Sequence, residues 1–252
     1  DPGKTYLAYQ CTRRTPQMKD ASVNNSIVTL EGIVKDYGQG NLIHRALSGI
    51  DLKIQSGEFT AVSGPSGSGK TTLLNIISGL DRPTAGRVHF NGNDITTYSK
   101  GQLSKLRLWH IGFVFQSHNL IPVLTAYENA EYILMLQGVT AHERQTKVME
   151  LFGQVGLEGM EKRLPHELSA GQQQRVAIAR AIASNPILVL ADEPTASVDQ
   201  KTATGIMDLM SQLNEEHGTT FVFSSHDEHV VERAHRLLIL TDGKITRDTL
   251  SV

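Results

Sequence analysis

The sequence has one cysteine, Cys11, one tryptophan, Trp109, and almost no net charge. A single thiol makes no internal disulfide and no Cys-based zinc site, so neither staple is available to the fold. Lys and Arg number 24 against 26 Asp and Glu, a formal net charge of -2. The basic excess usual in nucleic-acid binders is missing, which lowers that class while leaving room for local patches. Also missing is any apolar run near the roughly 18–20 residues that span a bilayer. The most core-like stretch, Ile187-Leu188-Val189-Leu190-Ala191, runs straight into Asp192-Glu193. Work at a membrane therefore requires another polypeptide, and a cytosolic chain is expected. Present instead are 39% apolar and 20% charged residues, enough for a core under a solvated surface and against wholesale disorder.

The 252 residues fit one large domain or two small ones, at about 100–200 residues per domain. Asp1 to Asn25 is polar, contains Pro2, Gly3 and Pro16, and shows neither an amphipathic period nor the apolar segment of a signal peptide. It is expected to be a disordered extension, residues 1–25, ahead of one domain at 26–252; Met18 is compatible with an internal start. Leu47, Ile50, Leu52 and Ile54 predict a strand, and Phe59-Thr60-Ala61-Val62-Ser63 a short buried one. A helix is expected from Lys70 to Ser78 with Gly79 as its stop. Asn91-Gly92 and Asp242-Gly243 signal tight turns. Thr140-Ala141-His142-Glu143 reads as a capping box, followed by Val148, Leu151, Phe152 and Val155 at helical spacing. Residues from about 100 to 165 are accordingly expected to form a helical insert. Beyond them, strands at Ile187–Ala191 and Thr219–Ser224 flank a helix through Ile206, Met210 and Leu213. Such alternation implies an α/β fold with a mostly parallel sheet.

Gly64-Pro65-Ser66-Gly67-Ser68-Gly69-Lys70-Thr71 fits G-x-x-x-x-G-K-[ST] and lies between a predicted strand and a predicted helix, the context that gives this pattern meaning. Glycines let successive backbone N–H groups converge on phosphate oxygens, and the helix N-terminus adds partial positive charge. Lys70 supplies a point charge for the β- and γ-phosphates, the Thr71 hydroxyl is a magnesium ligand, and Thr72 follows in the same first turn. Asp192 and Glu193 end a buried strand. Beside a phosphate loop, Asp192 is expected to hold magnesium and Glu193 to orient and deprotonate the attacking water. In Leu168-Ser169-Ala170-Gly171-Gln172, Ser169 and Gln172 form a capping box, and a capped helix start bearing a bare glycine is also an anion site.

Leu168 to Gln172 resembles the signature sequence of ATP-binding cassette (ABC) ATPases, placed as in that family just before the Asp192-Glu193 strand and well after the phosphate loop. The resemblance covers about residues 27–247. It implies a P-loop NTPase fold of the ABC ATPase type, with a mostly parallel core sheet, an antiparallel β subdomain and an inserted α-helical subdomain. It further implies roles for single residues. Gln116, after the strand Gly112-Phe113-Val114-Phe115, resembles the glutamine that contacts magnesium and water and links to the helical insert. Ala196-Ser197-Val198-Asp199 resembles the loop that meets the opposite subunit, His226 the histidine at the γ-phosphate, and Tyr37 the aromatic that stacks on adenine. Two positions depart from the family pattern: Ala170 stands for the first glycine of Ser-Gly-Gly-Gln, and Val198 for a common leucine.

The resemblance also implies ATP and Mg2+ as ligands. It implies a homodimer, or a dimer with a sister ATPase, in which the signature of one subunit closes on nucleotide held by the other. A separate membrane permease would be driven by this motion, leaving the chain cytoplasmic and peripheral on the inner face of the membrane. Ile111 to Gln116, Leu120-Ile121-Pro122 and Tyr127-Glu128-Asn129 look like the lipoprotein-release and macrolide-export branch. An importer subunit, a soluble ABC-type ATPase acting on DNA or ribosomes, and a phosphate-loop kinase are the alternatives. The second of these normally brings coiled coils, zinc modules or paired cassettes, and the third leaves Leu168–Gln172 and His226 unexplained.

Overall fold

The computed structural model describes residues 26–38 and 43–250; the expected extension at 1–25, with Cys11 and Met18, lies outside the described residues. Two sheets carry the chain. In the first, β1 (Ser26–Tyr37) lies between β2 (His44–Gln55) and β4 (Ala85–Phe90), with the short β5 (Asn93–Asp94) on the outer side of β4, all antiparallel. In the second, β3 (Phe59–Ser63), β6 (Ile111–Val114), β7 (Leu188–Asp192), β8 (Thr220–Ser224) and β9 (Arg236–Thr241) run parallel in the order β9-β3-β8-β7-β6. An antiparallel strand, β10 (Lys244–Leu250), closes the β9 edge.

The parallel strands are short apolar runs because both of their faces are covered. Leu188 and Leu190 of β7, Val62 of β3 and Val222 of β8 face one way, packing with Leu73, Leu74 and Ile77 of α1 (Lys70–Ile77) and with the antiparallel sheet. Val189, Ala191, Phe59, Ala61, Phe221 and Phe223 face the other way, against α5 (Ala170–Ile182) and α6 (Gln200–His217). Period-two alternation thus splits each strand between two cores. Asn91 and Gly92, and again Asp242 and Gly243, adopt positive φ (46° and 74°, 48° and 71°), as tight turns of this kind require.

The expected helical insert at about 100–165 is corrected at its first boundary. Within it, Ile111–Val114 forms β6, an edge strand of the parallel sheet. Gly112 permits this placement, since a Cβ there would lie 2.3 Å from the Ala181 carbonyl oxygen of α5. The helix before it, α2 (Lys100–His110), buries Leu103 and Leu106 in the α1 core, whereas α3 (Ala126–Leu136) and α4 (Ala141–Gln154) pack on the α5 side. The helices that form a unit with α5 therefore begin only after β6. Ser99, Thr125, Thr140 and Ser169 each close a capping box, which satisfies two otherwise orphaned backbone donors per helix. Among the described residues, no helix is long and apolar enough to cross a membrane.

Candidate functional site: a phosphate loop at the strand ends

The site gathers where β3, β7 and β8 end. β3 stops at Ser63, and Gly64, Gly67 and Gly69 take φ of 150°, 78° and 106° before α1 starts at Lys70. A Cβ on Gly64 would lie 2.0 Å from the Leu240 carbonyl oxygen, and one on Gly69 2.6 Å from that of Ala46. Glycine is thus required twice by space and, at Gly67, by conformation alone. No side chain caps α1 and no acid sits in its first turn, which leaves its positive end for an outside anion. Ser68, beside it, is buried with a hydroxyl that has no partner, and Ser66 is exposed on the loop. Lys70 is only 8% exposed, and its ammonium donates to the Gly64 and Pro65 carbonyls at 2.8 and 3.1 Å. The loop is therefore wrapped around a desolvated cation, a cradle shaped for phosphate.

Carboxylates arrive from β7. Asp192 Oδ1 accepts from the Thr71 hydroxyl at 3.1 Å and from the Ser224 hydroxyl at 2.7 Å. Ser224 also accepts the Glu193 backbone N–H at 2.9 Å, so one hydroxyl at the end of β8 orders both acids. Glu193 sits at φ 48°, a conformation that a non-glycine residue adopts at an energetic cost. Its carboxylate lies 3.0 Å from His226 Nδ1 and 3.9 Å from Lys70 Nζ. The hydrogen bond places a proton on Nδ1 of His226, whose side chain is largely exposed. A hydroxyl and a carboxylate side by side form a hard-oxygen donor pair, which suits magnesium.

Five further expected residues lie outside this cluster of contacts. Gln116 follows β6, next to β7, with its side chain exposed and its carbonyl accepting from Ser197 Oγ at 3.4 Å. Tyr37, at the end of β1, donates to Asp81 Oδ2 at 2.8 Å. Ser169 and Gln172 bond reciprocally at the start of α5, and no hydrogen bond or ion pair among the described residues joins them to the phosphate loop. Gly171 is pressed against α6, where a Cβ would meet Thr202 Cγ2 at 2.4 Å, whereas Ala170 points into solvent. The methyl at 170 is accommodated where one at 171 is not. Thr202 in turn bonds Asp199, the α6 cap, at 2.6 Å through its hydroxyl, and this bond holds the Asp199 carboxyl below its usual range.

Three separate sets of polar contacts lay beyond sequence reasoning. Ser224, Thr202, Lys35 and Asp81 belong to no motif, and only the polar Ser224-Ser225-His226 strand end hinted at one of them. Arg180 of α5 is a similar case, donating to the backbone carbonyls of Asn119 and His118 at 2.7 and 2.9 Å and so tying the loop after Gln116 to the helix that begins at Ser169.

Comparison with known proteins gives the family and the fold. The family model described as ABC transporter matches residues 47–196. The chain is 48% identical over 197 residues to the ABC transporter ATP-binding protein YtrE of Bacillus subtilis, covering 78% of this chain and 85% of that protein. It is 46% identical over 221 residues to the lipoprotein-releasing system ATP-binding protein LolD 1 of Rhodopseudomonas palustris, covering 87% and 98%. Among solved structures, the dimeric post-hydrolysis state of the ATP-binding cassette MJ0796 bound to ADP and Pi superposes with a TM-score of 0.84 at 43% identity, covering 89% of this chain and 99% of that one. By these matches the chain belongs to the ABC transporter family, as one of its ATP-binding, ATP-hydrolysing subunits.

Proposed function

We propose that this chain is the motor subunit of a transporter of the lipoprotein-release or macrolide-export type, hydrolysing ATP between two copies of itself or between itself and a sister ATPase. The observation that carries the reading is the position of Glu193, held in a strained backbone between Lys70 and His226 beside a glycine-rich cradle around the buried Lys70 ammonium. ATP enters with its phosphates on the Gly64–Thr72 backbone. Lys70 exchanges two carbonyls for the β- and γ-phosphates, and Ser66, Gly67, Ser68 and Gly69 present backbone N–H groups. Glu193 takes a proton from water as the water oxygen bonds to the γ-phosphorus and the bond to the β-γ bridging oxygen breaks, yielding ADP and phosphate. His226 holds the Glu193 carboxylate and faces the γ-phosphate. Magnesium, when bound, neutralises phosphate charge; Thr71 and Asp192 offer its oxygens, and Gln116 stands at the neighbouring strand end.

Ser169, Gly171 and Gln172 have no bond to the phosphate loop of their own chain, which supports a site completed by a second copy. The dimer of MJ0796 is consistent with that arrangement. LolD 1 carries a lipoprotein-releasing name, as the branch residues lead one to expect, and the DNA- or ribosome-directed alternative gains no support from these relatives. In this reading the chain works through a permease, peripherally on the cytoplasmic face of the membrane, and the lipoprotein-releasing name of LolD 1 supports it. The test is phosphate release by Glu193→Gln protein beside wild type. Hydrolysis is expected to fall by at least about 100-fold with ATP binding retained. Unchanged hydrolysis would remove Glu193 from the base role.

A further inference from the structure

Tyr37 is held by more than its own strand. Its hydroxyl donates to Asp81 Oδ2 at 2.8 Å, while the Lys35 ammonium donates to Asp81 Oδ1 and to the Arg82 carbonyl, both at 2.8 Å. The same ammonium stands 4.7 Å from the centroid of the Tyr37 ring. Lys35 is largely buried, at 12% side-chain exposure, and Asp81 is 31% exposed, so this is a partly desolvated triad and not a solvent-swept surface pair. Burial first, and Asp81 after it, hold the Tyr37 phenol above its usual range, which keeps it a protonated donor.

Asp81 belongs to the turn that closes α1. Its backbone N–H, with that of Leu80, bonds to the Asn75 carbonyl of that helix at 3.1 and 2.9 Å. At its other end α1 begins with Lys70, Thr71 and Thr72 of the phosphate loop. The ring is thus referenced, through Asp81, to the closing turn of the helix whose first residues belong to the phosphate loop. With a cation over one ring face, a base stacks on the other, and Tyr37 is 40% exposed. The cation also draws ring π-density away from that outer face, favouring an electron-rich purine there.

We infer that Lys35 and Asp81 are positioning residues that pre-set the Tyr37 ring at a fixed reach from the phosphate loop, so that they determine how much the nucleoside half of the ligand adds to affinity. The inference rests on Tyr37 being the base platform. A platform fixed before binding loses less conformational freedom when the base arrives, and the benefit belongs to the nucleoside alone. A mere strap between β1 and the α1 turn would instead disturb base and phosphate binding together.

The experiment measures dissociation constants of the full chain for ADP and for inorganic pyrophosphate by calorimetry, in wild type, Tyr37→Ala, Lys35→Met, Asp81→Asn and Lys35→Arg. Lys35→Met and Asp81→Asn are expected to weaken ADP by about three- to tenfold and leave pyrophosphate within about twofold. Lys35→Arg, which keeps a cation for both ring and carboxylate, is expected to restore ADP binding. If Tyr37→Ala weakens ADP while Lys35→Met and Asp81→Asn do not, the platform stands and the positioning inference falls. If Tyr37→Ala leaves ADP unchanged, the platform reading fails and takes the inference with it. Equal weakening of ADP and pyrophosphate overturns the inference in favour of a strap. Should Lys35→Met not fold, Asp81→Asn, which keeps an acceptor for the tyrosine, decides alone.

Discussion

Strand β9 begins at Arg236, whose guanidinium donates to both Glu58 oxygens, both Asp248 oxygens and the Lys53 carbonyl, whereas its neighbour β3 ends in a loop whose buried ammonium finds two backbone carbonyls and a carboxylate 3.9 Å away. The starting edge of the sheet is satisfied throughout this region. Thr220 accepts from the Gly57 N–H, and the Asn214 amide donates to the Gly57 and Thr219 carbonyls. The Asp248 hydrogen bond, helped by Glu58, outweighs burial and holds Arg236 above the ordinary guanidinium range. The finishing edge stores the opposite: three glycines and Glu193 at positive φ, an orphaned Ser68 hydroxyl, and a helix start without a cap. Open α/β sheets bind ligands beyond the carboxyl ends of their strands. Here the reason is visible in hydrogen bonds, because one edge spends its polar groups on itself and the other keeps them for a ligand.

Substitutions at each edge separate the two. Arg236→Met leaves the largely buried Glu58 without its counter-ion, held only by the Gln55 N–H and the Thr60 hydroxyl, so urea unfolding is expected to show a loss of about 3 kcal/mol, with ADP affinity of the remaining folded protein unchanged. Lys70→Ala is expected to do the reverse, weakening ATP by at least about 100-fold while the unliganded protein unfolds within about 1 kcal/mol of wild type. A large stability loss from Lys70→Ala, or an affinity loss from Arg236→Met, would break the comparison. The mildest effects sharpen it at the start of α5. Gly171→Ala forces Thr202 aside and is expected to lower steady-state hydrolysis by about tenfold with ADP binding intact, whereas Ala170→Gly should stay within about threefold of wild type.

The parallel edge was legible because its signals are local. Phe59–Ser63, Ile187–Ala191 and Thr219–Ser224 are apolar runs covered on both faces, and Lys70, Thr71, Asp192 and Glu193 lie at fixed offsets from them. Gly112-Phe113-Val114-Phe115 reads as a strand before Gln116, but nothing local takes it out of the expected insert; its pairing with β7 and the contact of Gly112 with Ala181 put it at the edge of the parallel sheet. β1 was obscured by an irregularity at Gly32, φ 57°, where the pairing register shifts between Leu30 and Ile33 and the alternation breaks. Polar partners are a separate case. Ser224 lies 31 residues from Glu193, Asp81 lies 44 from Tyr37, and the long-range pairing that joins them carries no spacing signal. Sequence reading therefore found the groups expected to touch nucleotide and missed those that aim them.

The most direct test of the account is the solution mass of Glu193→Gln protein with and without ATP and magnesium. If Ser169 and Gly171 complete a site on another copy, the mass should double only when ATP and magnesium are present, and Ser169→Arg in the same background should return it to a single chain. A mass that stays at one chain with ATP demonstrably bound, or a dimer indifferent to both nucleotide and Ser169→Arg, would contradict it.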